Sequence, residues 1–180
     1  MVVASVVLTP KTRQGTTKMR HSHAPHTSKN QLYSDAERAR RDATIWTLIQ
    51  GLLAPIQFIV FLVSLVLVIR YLSTGNGYAA AADSVVAKTA LLYLIMITGA
   101  VWEKIVFGQY LFAPAFFWED VFSFAVIALH TLYIVGLYGT DWSPTTLMLI
   151  ALLAYATYVV NAGQFILKLR RARLDMAVAA

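Results

Sequence analysis

Four long apolar runs, separated by short polar breaks, organise this chain. Ala43 to Ile69 carries no charged residue. A helix needs about 20 apolar residues to cross a bilayer, so this run is long enough to span with some tilt. Pro55 lies inside it and is expected to kink the helix or to free a backbone carbonyl. Arg70 and Tyr71 close the run at an interface, and Ser73 to Gly77 reads as a turn. The second run extends from about Val85 to Val106, with a charge-free centre from Thr89 to Trp102. Lys88 is expected to snorkel from one end of it, and Glu103 and Lys104 fall in its last turn. The third run, from about Phe117 to Tyr138, contains His130. The fourth, from about Trp142 to Leu167, is charge-free, and Ser143-Pro144 supplies an N-cap followed by proline at the first helical position. Between runs two and three, Phe107 to Phe116 is apolar and aromatic, broken by Gly108 and Pro114, and too short to span again. An interfacial or re-entrant segment is expected there. The expected class is all-α: a polytopic membrane protein with four transmembrane helices.

Composition agrees with that pattern. Of 180 residues, 58% are hydrophobic and 13% charged, where a soluble domain carries about 25% charge. The absence of cysteine excludes disulfides, thiolate catalysis and zinc–thiolate sites. Met1 to Leu8 lacks the basic region and the length of a secretory signal. Residues 9 to 34 are rich in Thr, Ser, His, Lys and Arg, with little that can pack. The expected organisation is a disordered basic tail over 1–34, a four-helix transmembrane domain over 35–174 and a short tail over 175–180.

The placement of the net charge of +6 says more than its size. Before the first span stand Lys11, Arg13, Lys18, Arg20, Lys29, Arg38, Arg40 and Arg41; after the fourth stand Lys168, Arg170, Arg171 and Arg173. The loop between spans three and four has none, and that between one and two is flanked only by Arg70 and Lys88. The positive-inside rule then puts both termini in the cytoplasm. That requires an even number of spans, as counted. The connection from Glu103 to Asp120 becomes cytoplasmic too.

Candidate chemistry gathers near that connection. Val101 to Asp120 holds three carboxylates, a lysine, two tryptophans and a tyrosine between two apolar runs, and ionisable groups at membrane depth are expensive. Gln50, Glu103, Glu119, Asp120, Asn161 and Gln164 fall at a similar depth, just inside the cytoplasmic interface. Asn161 and Gln164 share a helix face through their i, i+3 spacing. Gln57 and His130 sit deeper, Gln57 on the face of Gln50, and Glu119, Ser123 and His130 form one stripe. A plainer reading stands beside this: polar side chains often join membrane helices without doing chemistry, and carboxylates near headgroups can face water. His130 can ligate a metal, shuttle a proton or pair with a neighbour. Trp102, Tyr110, Phe116, Phe117 and Trp118 fit an aromatic belt, or a wall for a flat ligand. The tract His21, His23, His26 is more simply solvated tail than metal site, and the basic tails set topology and attract anionic lipid rather than nucleic acid. No phosphate loop, nucleophile elbow or transporter-like repeat is present in the sequence.

At these residues the sequence resembles a family. Arg40 to Phe58 is similar to the opening of the bacteriochlorophyll-synthesis vinyl hydratases, known as 2-vinyl or 3-vinyl bacteriochlorophyllide hydratases by ring numbering. Trp102 to Asp120 resembles that family's central block, and His130-Thr131 and Tyr158 to Phe165 its later segments. The resemblance covers about Leu32 to Leu174, and the tail before Leu32 is longer than the family pattern. It implies a hydro-lyase that adds water to the ring-A vinyl group of chlorophyllide a or its bacteriochlorin counterpart, giving a 1-hydroxyethyl group in bacteriochlorophyll synthesis. It implies a multi-pass protein of a bacterial cytoplasmic or intracytoplasmic photosynthetic membrane. Lipid and the pigment are expected partners, with other pigment-synthesis enzymes as candidates. No cofactor is expected, because the Mg ion belongs to the substrate. A non-catalytic pigment-binding or assembly subunit of a photosynthetic complex is the alternative, and a small transporter a weaker one.

The resemblance carries no residue roles, so those follow from chemistry. A proton delivered to the terminal vinyl carbon leaves positive charge beside the macrocycle, whose π-system spreads it, and water attacks there. This needs an acid holding a proton near neutral pH, and a base or water-orienting group. Glu103 or Glu119 is the expected acid, and the other carboxylate or Asp120 the base. Asn161 and Gln164 are expected to hold the water, with Gln50, Trp102, Tyr110 and Trp118 lining the substrate and Lys104 or the tail arginines meeting its propionate. His130 is a candidate ligand for the substrate's Mg, although eleven residues of helix put it roughly 16 Å from Glu119.

Overall fold

The computed structural model describes residues 32–179. Five helices account for most of them: α1 (Asp35–Ala43), α2 (Ile45–Thr74), α3 (Tyr78–Phe107), α4 (Phe117–Gly139) and α5 (Pro144–Ala179). Four are long and apolar enough to cross a membrane, namely α2, α3, α4 and α5 as far as Arg171. The all-α, four-span class read from sequence is thus the fold of the chain. The expected tail over 1–34 and the His21, His23, His26 tract lie almost wholly outside the described residues. Its last residues are inside, and Tyr33 is buried between Phe107 and Phe116. At the other terminus α5 continues as helix through 175–179, where a short tail was expected.

The helix ends follow local chemistry. Ser34 and Glu37 form a reciprocal capping box that starts α1. Thr44 is extended; it ends α1 and caps α2 by accepting from Trp46. The charge-free run therefore begins with a break that hydrophobicity alone does not mark. α2 continues through Pro55, as membrane helices tolerate. Ser143 accepts from the Thr146 amide and Pro144 opens α5, as the sequence predicts.

Short connections make neighbouring helices antiparallel. The most extensive packing joins α2 to α3 and α4 to α5, and the two hairpins meet through α2 with α5 and α3 with α4. One end of the bundle therefore collects α1, the start of α2, the Gly108–Phe116 loop and the end of α5. Leu52, Ile59 and Val66 on α2 and Leu149, Leu153 and Val160 on α5 are exposed, as expected where lipid is the solvent. Inside, small side chains allow close approach: Ala81, Ala82 and Val85 on α3, and Ala151 and Ala154 on α5. Ser64 bonds both Ser84 (2.7 Å) and Tyr155 (2.5 Å), pinning α2 to α3 and α5.

Lys88 departs from expectation. α3 starts at Tyr78, not near Val85, so Lys88 lies almost three turns inside it and cannot reach the end. It is fully buried, with Nζ 3.7 Å from the centre of the Tyr158 ring.

Candidate active site at the loop end of the bundle

α3 ends where Gly108, at φ 86°, adopts a left-handed conformation and donates to Lys104 O. The following loop, through Phe116, carries no helix of its own. Within it Phe112 is left-handed at φ 59°, the sole positive-φ residue other than glycine among the described residues. A Cβ makes that conformation cost about 1–2 kcal/mol. Two carboxyl groups hold it. The Phe112 amide donates to Asp120 Oδ2 at 2.6 Å, and the next amide, of Ala113, donates to Glu103 Oε2 at 3.2 Å. Both acids are about 95% buried, and their carboxyl groups meet side chain to side chain. α3 supplies one and α4 the other, so the pair also ties the two hairpins together.

Glu119 is buried beside them but has a different partner. Lys168 of α5 reaches it at 2.5 Å, donates also to Ala115 O, and lies over the Phe116 ring. In the sequence Lys168 stands out only as part of the basic tail. The signal was present: Asn161, Phe165 and Lys168 return to one helical face at offsets of four and seven. Phe112 gave no comparable signal, because aromatic residues rarely adopt positive φ.

The aromatics divide into two groups. Trp102, partly buried, packs edge-on against Phe107 and Phe116 and donates from Nε1 to Thr47 Oγ1 at 2.9 Å, so it belongs to a small aromatic core. Tyr33 stacks on Phe107 in the same core, with the Arg41 guanidinium 4.8 Å above its ring. Burial raises the Tyr33 phenol above its ordinary value, and Arg41 opposes that rise. Arg40 Nε donates to Val106 O near the end of α3, which fastens α1 across it. The second group faces outward: Tyr110, Phe112, Phe117, Trp118 and Phe124 are exposed. Phe112 stacks on Phe124 and leans on Phe117, forming an aromatic surface directly over Asp120. Lys104 is exposed at its edge, bonded to Gly108 O and 5.2 Å from the Tyr110 ring.

The remaining candidates separate by depth. Asn161 Nδ2 donates to Ser123 Oγ at 2.9 Å, one helical turn beyond Glu119, and Gln164 lies beside it with its Oε1 buried. Gln50 donates to Thr98 at 2.7 Å and makes no hydrogen bond to the carboxyl groups. Gln57 and His130 are buried in the middle of the bundle, away from the pair. The His130 ring lies against Tyr155, with Nδ1 on Val126 O at 2.8 Å. Among the described residues no group of three or more His, Cys, Asp or Glu side chains is arranged to hold a metal ion.

Comparison with known proteins gives this arrangement a family. The family model described as 2-vinyl bacteriochlorophyllide hydratase (BCHF) matches residues 33–171, which takes in both carboxyl groups, the loop and Lys168. A protein of Cereibacter sphaeroides named 2-vinyl bacteriochlorophyllide hydratase is 66% identical over 156 residues, covering 87% of this chain and 95% of that one. A protein of the same name from Rhodobacter capsulatus is 66% identical over 150 residues, covering 83% and 87%. No solved structure matches. The chain belongs to the 2-vinyl bacteriochlorophyllide hydratase family.

Proposed function

We propose that this protein adds water to the ring-A vinyl group of a bacteriochlorophyllide, or of chlorophyllide a, at the Glu103–Asp120 pair. Its relatives' names make it a hydratase of bacteriochlorophyll synthesis, and the pair is the observation that supports the site. Two carboxyl groups in contact hold one proton between them, which is the proton an alkene hydration needs. The loop amides at Phe112 and Ala113 fix both groups while the proton moves. Glu119, paired with Lys168, lies beside the pair where its carboxylate can face the cation that develops.

The steps balance. The pair gives its proton to the terminal vinyl carbon and the π electrons form that C–H bond. Water attacks the inner carbon, now cationic and conjugated with the macrocycle, and its surplus proton returns to the pair. Nothing is oxidised or reduced, so no redox cofactor enters, and Mg arrives as part of the pigment. The flat macrocycle suits the outward surface of Phe112, Phe117, Trp118 and Phe124, with Lys104 near for a propionate. The distribution of Lys and Arg supports cytoplasmic termini and a site on the cytoplasmic face of the pigment-synthesising membrane. Membranes containing the protein, given a vinyl bacteriochlorophyllide in ¹⁸O-water, should yield a hydroxyethyl product carrying the label. Stoichiometric pigment binding without labelled product would identify a binding subunit instead.

A further inference from the structure

The reaction consumes water at a site walled by aromatic rings, and the bundle contains a line of polar atoms that leads to it. Seven buried side-chain polar atoms lack a hydrogen-bond partner among the described residues. One, Arg38 Nε, belongs to α1. The other six are Gln164 Oε1, Asn161 Oδ1, Gln57 Oε1, His130 Nε2, Lys88 Nζ and Tyr133 OH. They do not scatter. On α5, Tyr155, Tyr158, Asn161 and Lys168 turn toward one side; on α4, Glu119, Ser123, Val126, His130 and Tyr133 recur at offsets of 4, 7, 11 and 14. The two stripes meet at Glu119–Lys168, Ser123–Asn161 and His130–Tyr155. Gln57 of α2 and Lys88 of α3 are buried in the same middle section, and Lys88 lies over Tyr158.

The chemistry of these atoms selects a ligand. Because His130 Nδ1 faces a carbonyl, it must carry the proton, and Nε2 presents a lone pair. Gln57, Asn161 and Gln164 present carbonyl oxygens. Four acceptors cannot satisfy one another. Lys88 is the donor among them, Tyr133 can act either way, and among the described residues no carboxylate partners Lys88. A buried polar atom without a partner is costly, so six together call for a small ligand that both donates and accepts. Water meets that description and is the usual occupant of such sites.

We propose that the α4–α5 seam is a file of internal water molecules, anchored at Lys88, His130 and Gln57 and ending at Asn161 and Gln164 beside the carboxyl groups, and that it supplies the water consumed by the hydration. The file covers about 15 Å, from Asp120 to His130 at 1.5 Å per residue. Its role as a supply rests on the hydratase reading, while its hydration does not. The supply involves no bond-making away from the pigment: water moves along lone pairs and the mechanism above uses it.

Two measurements test this on the full chain in lipid nanodiscs. X-ray radiolysis makes hydroxyl radicals from bound water, so Tyr133, Tyr155 and Tyr158 should be labelled several-fold faster than Met148, which is buried in the apolar core. Asn161→Leu and Lys88→Met should each lower that labelling. In turnover, Asn161→Leu should reduce kcat about tenfold with the KM for pigment unchanged, as expected for loss of water but not of pigment contact. Tyrosine labelling no faster than that of Met148 would overturn the file. Fast labelling with wild-type kcat in Asn161→Leu would overturn the supply and leave the hydratase reading intact. Absence of hydroxyethyl product from the wild type would fail that reading, whatever the labelling shows. If Lys88→Met does not fold, the wild type and Asn161→Leu still decide the question.

Discussion

Two polar regions of this bundle are both buried, and they handle burial in opposite ways. At the loop end, Glu103 and Asp120 accept successive backbone amides and touch each other, and Glu119 has Lys168. In the middle, Lys88, His130, Gln57 and Tyr133 leave polar atoms without protein partners. The first region is therefore built by its carboxyl oxygens, which accept the two amides of the left-handed Phe112 turn. The second carries buried polar atoms that internal water would satisfy. Substitutions that remove an acceptor should thus damage the first region, while apolar substitutions should spare the fold in the second.

The largest effect should come from the pair. Glu103→Gln and Asp120→Asn keep an oxygen for the Ala113 and Phe112 amides but remove the shared proton. Turnover should fall about 10²–10⁴-fold while thermal unfolding changes little. Asp120→Ala should also destabilise the protein, by about 1–3 kcal/mol, because the Phe112 amide loses its acceptor. If Asn and Ala proved equally stable at 120, the Asp120 acceptor would not hold the loop. Next comes Lys168→Met, which strands Glu119 in a buried position. It should cost about 3 kcal/mol, and adding Glu119→Gln should recover part of that loss in a double-mutant cycle. An additive cycle would show that the ion pair does not couple the residues.

How much of this contrast the sequence reveals depends on which forces set each feature. The four spans are legible because lipid demands long apolar runs, and Ser143-Pro144 because capping is local chemistry. The depth matching of Glu103, Glu119 and Asp120 is legible for the same reason: span ends fix depth. Lys88 is misjudged because Asp83 interrupts the apolar run, so hydropathy starts the span after it, whereas the alanines at 79–82 favour helix and lengthen α3 back to Tyr78. Thr44 is hidden inside a charge-free run, and α1 with it. Lys168 reads as one more basic residue until the pitch of α5 carries it back to Glu119. The inward turn of Trp102 depends on Tyr33, Phe107 and Phe116 meeting from distant parts of the chain, which periodicity does not encode.

The smallest expected effect on the fold is the sharpest test of the comparison. Lys88→Met replaces an amine that has no hydrogen-bond or carboxylate partner among the described residues by an apolar chain of similar length. Where a buried charge is paired, its removal strands the partner; here no partner is stranded, and apolar replacements of buried charges are often neutral or stabilising by up to about 4 kcal/mol. Lys88→Met should then unfold in nanodiscs at the wild-type temperature or above it. The cation–π contact with Tyr158, at 3.7 Å, works against this, with a typical worth of about 2 kcal/mol when desolvated. Lys88→Arg separates the two contributions. It keeps charge and the aromatic contact but enlarges the head group, so it should destabilise if the surrounding space is shaped for lysine and water. A variant Lys88→Met that melts well below wild type, with Lys88→Arg unaffected, would mean that the aromatic contact outweighs desolvation. The middle of the bundle would then resemble the loop end, held together by the contacts its polar groups make within the protein.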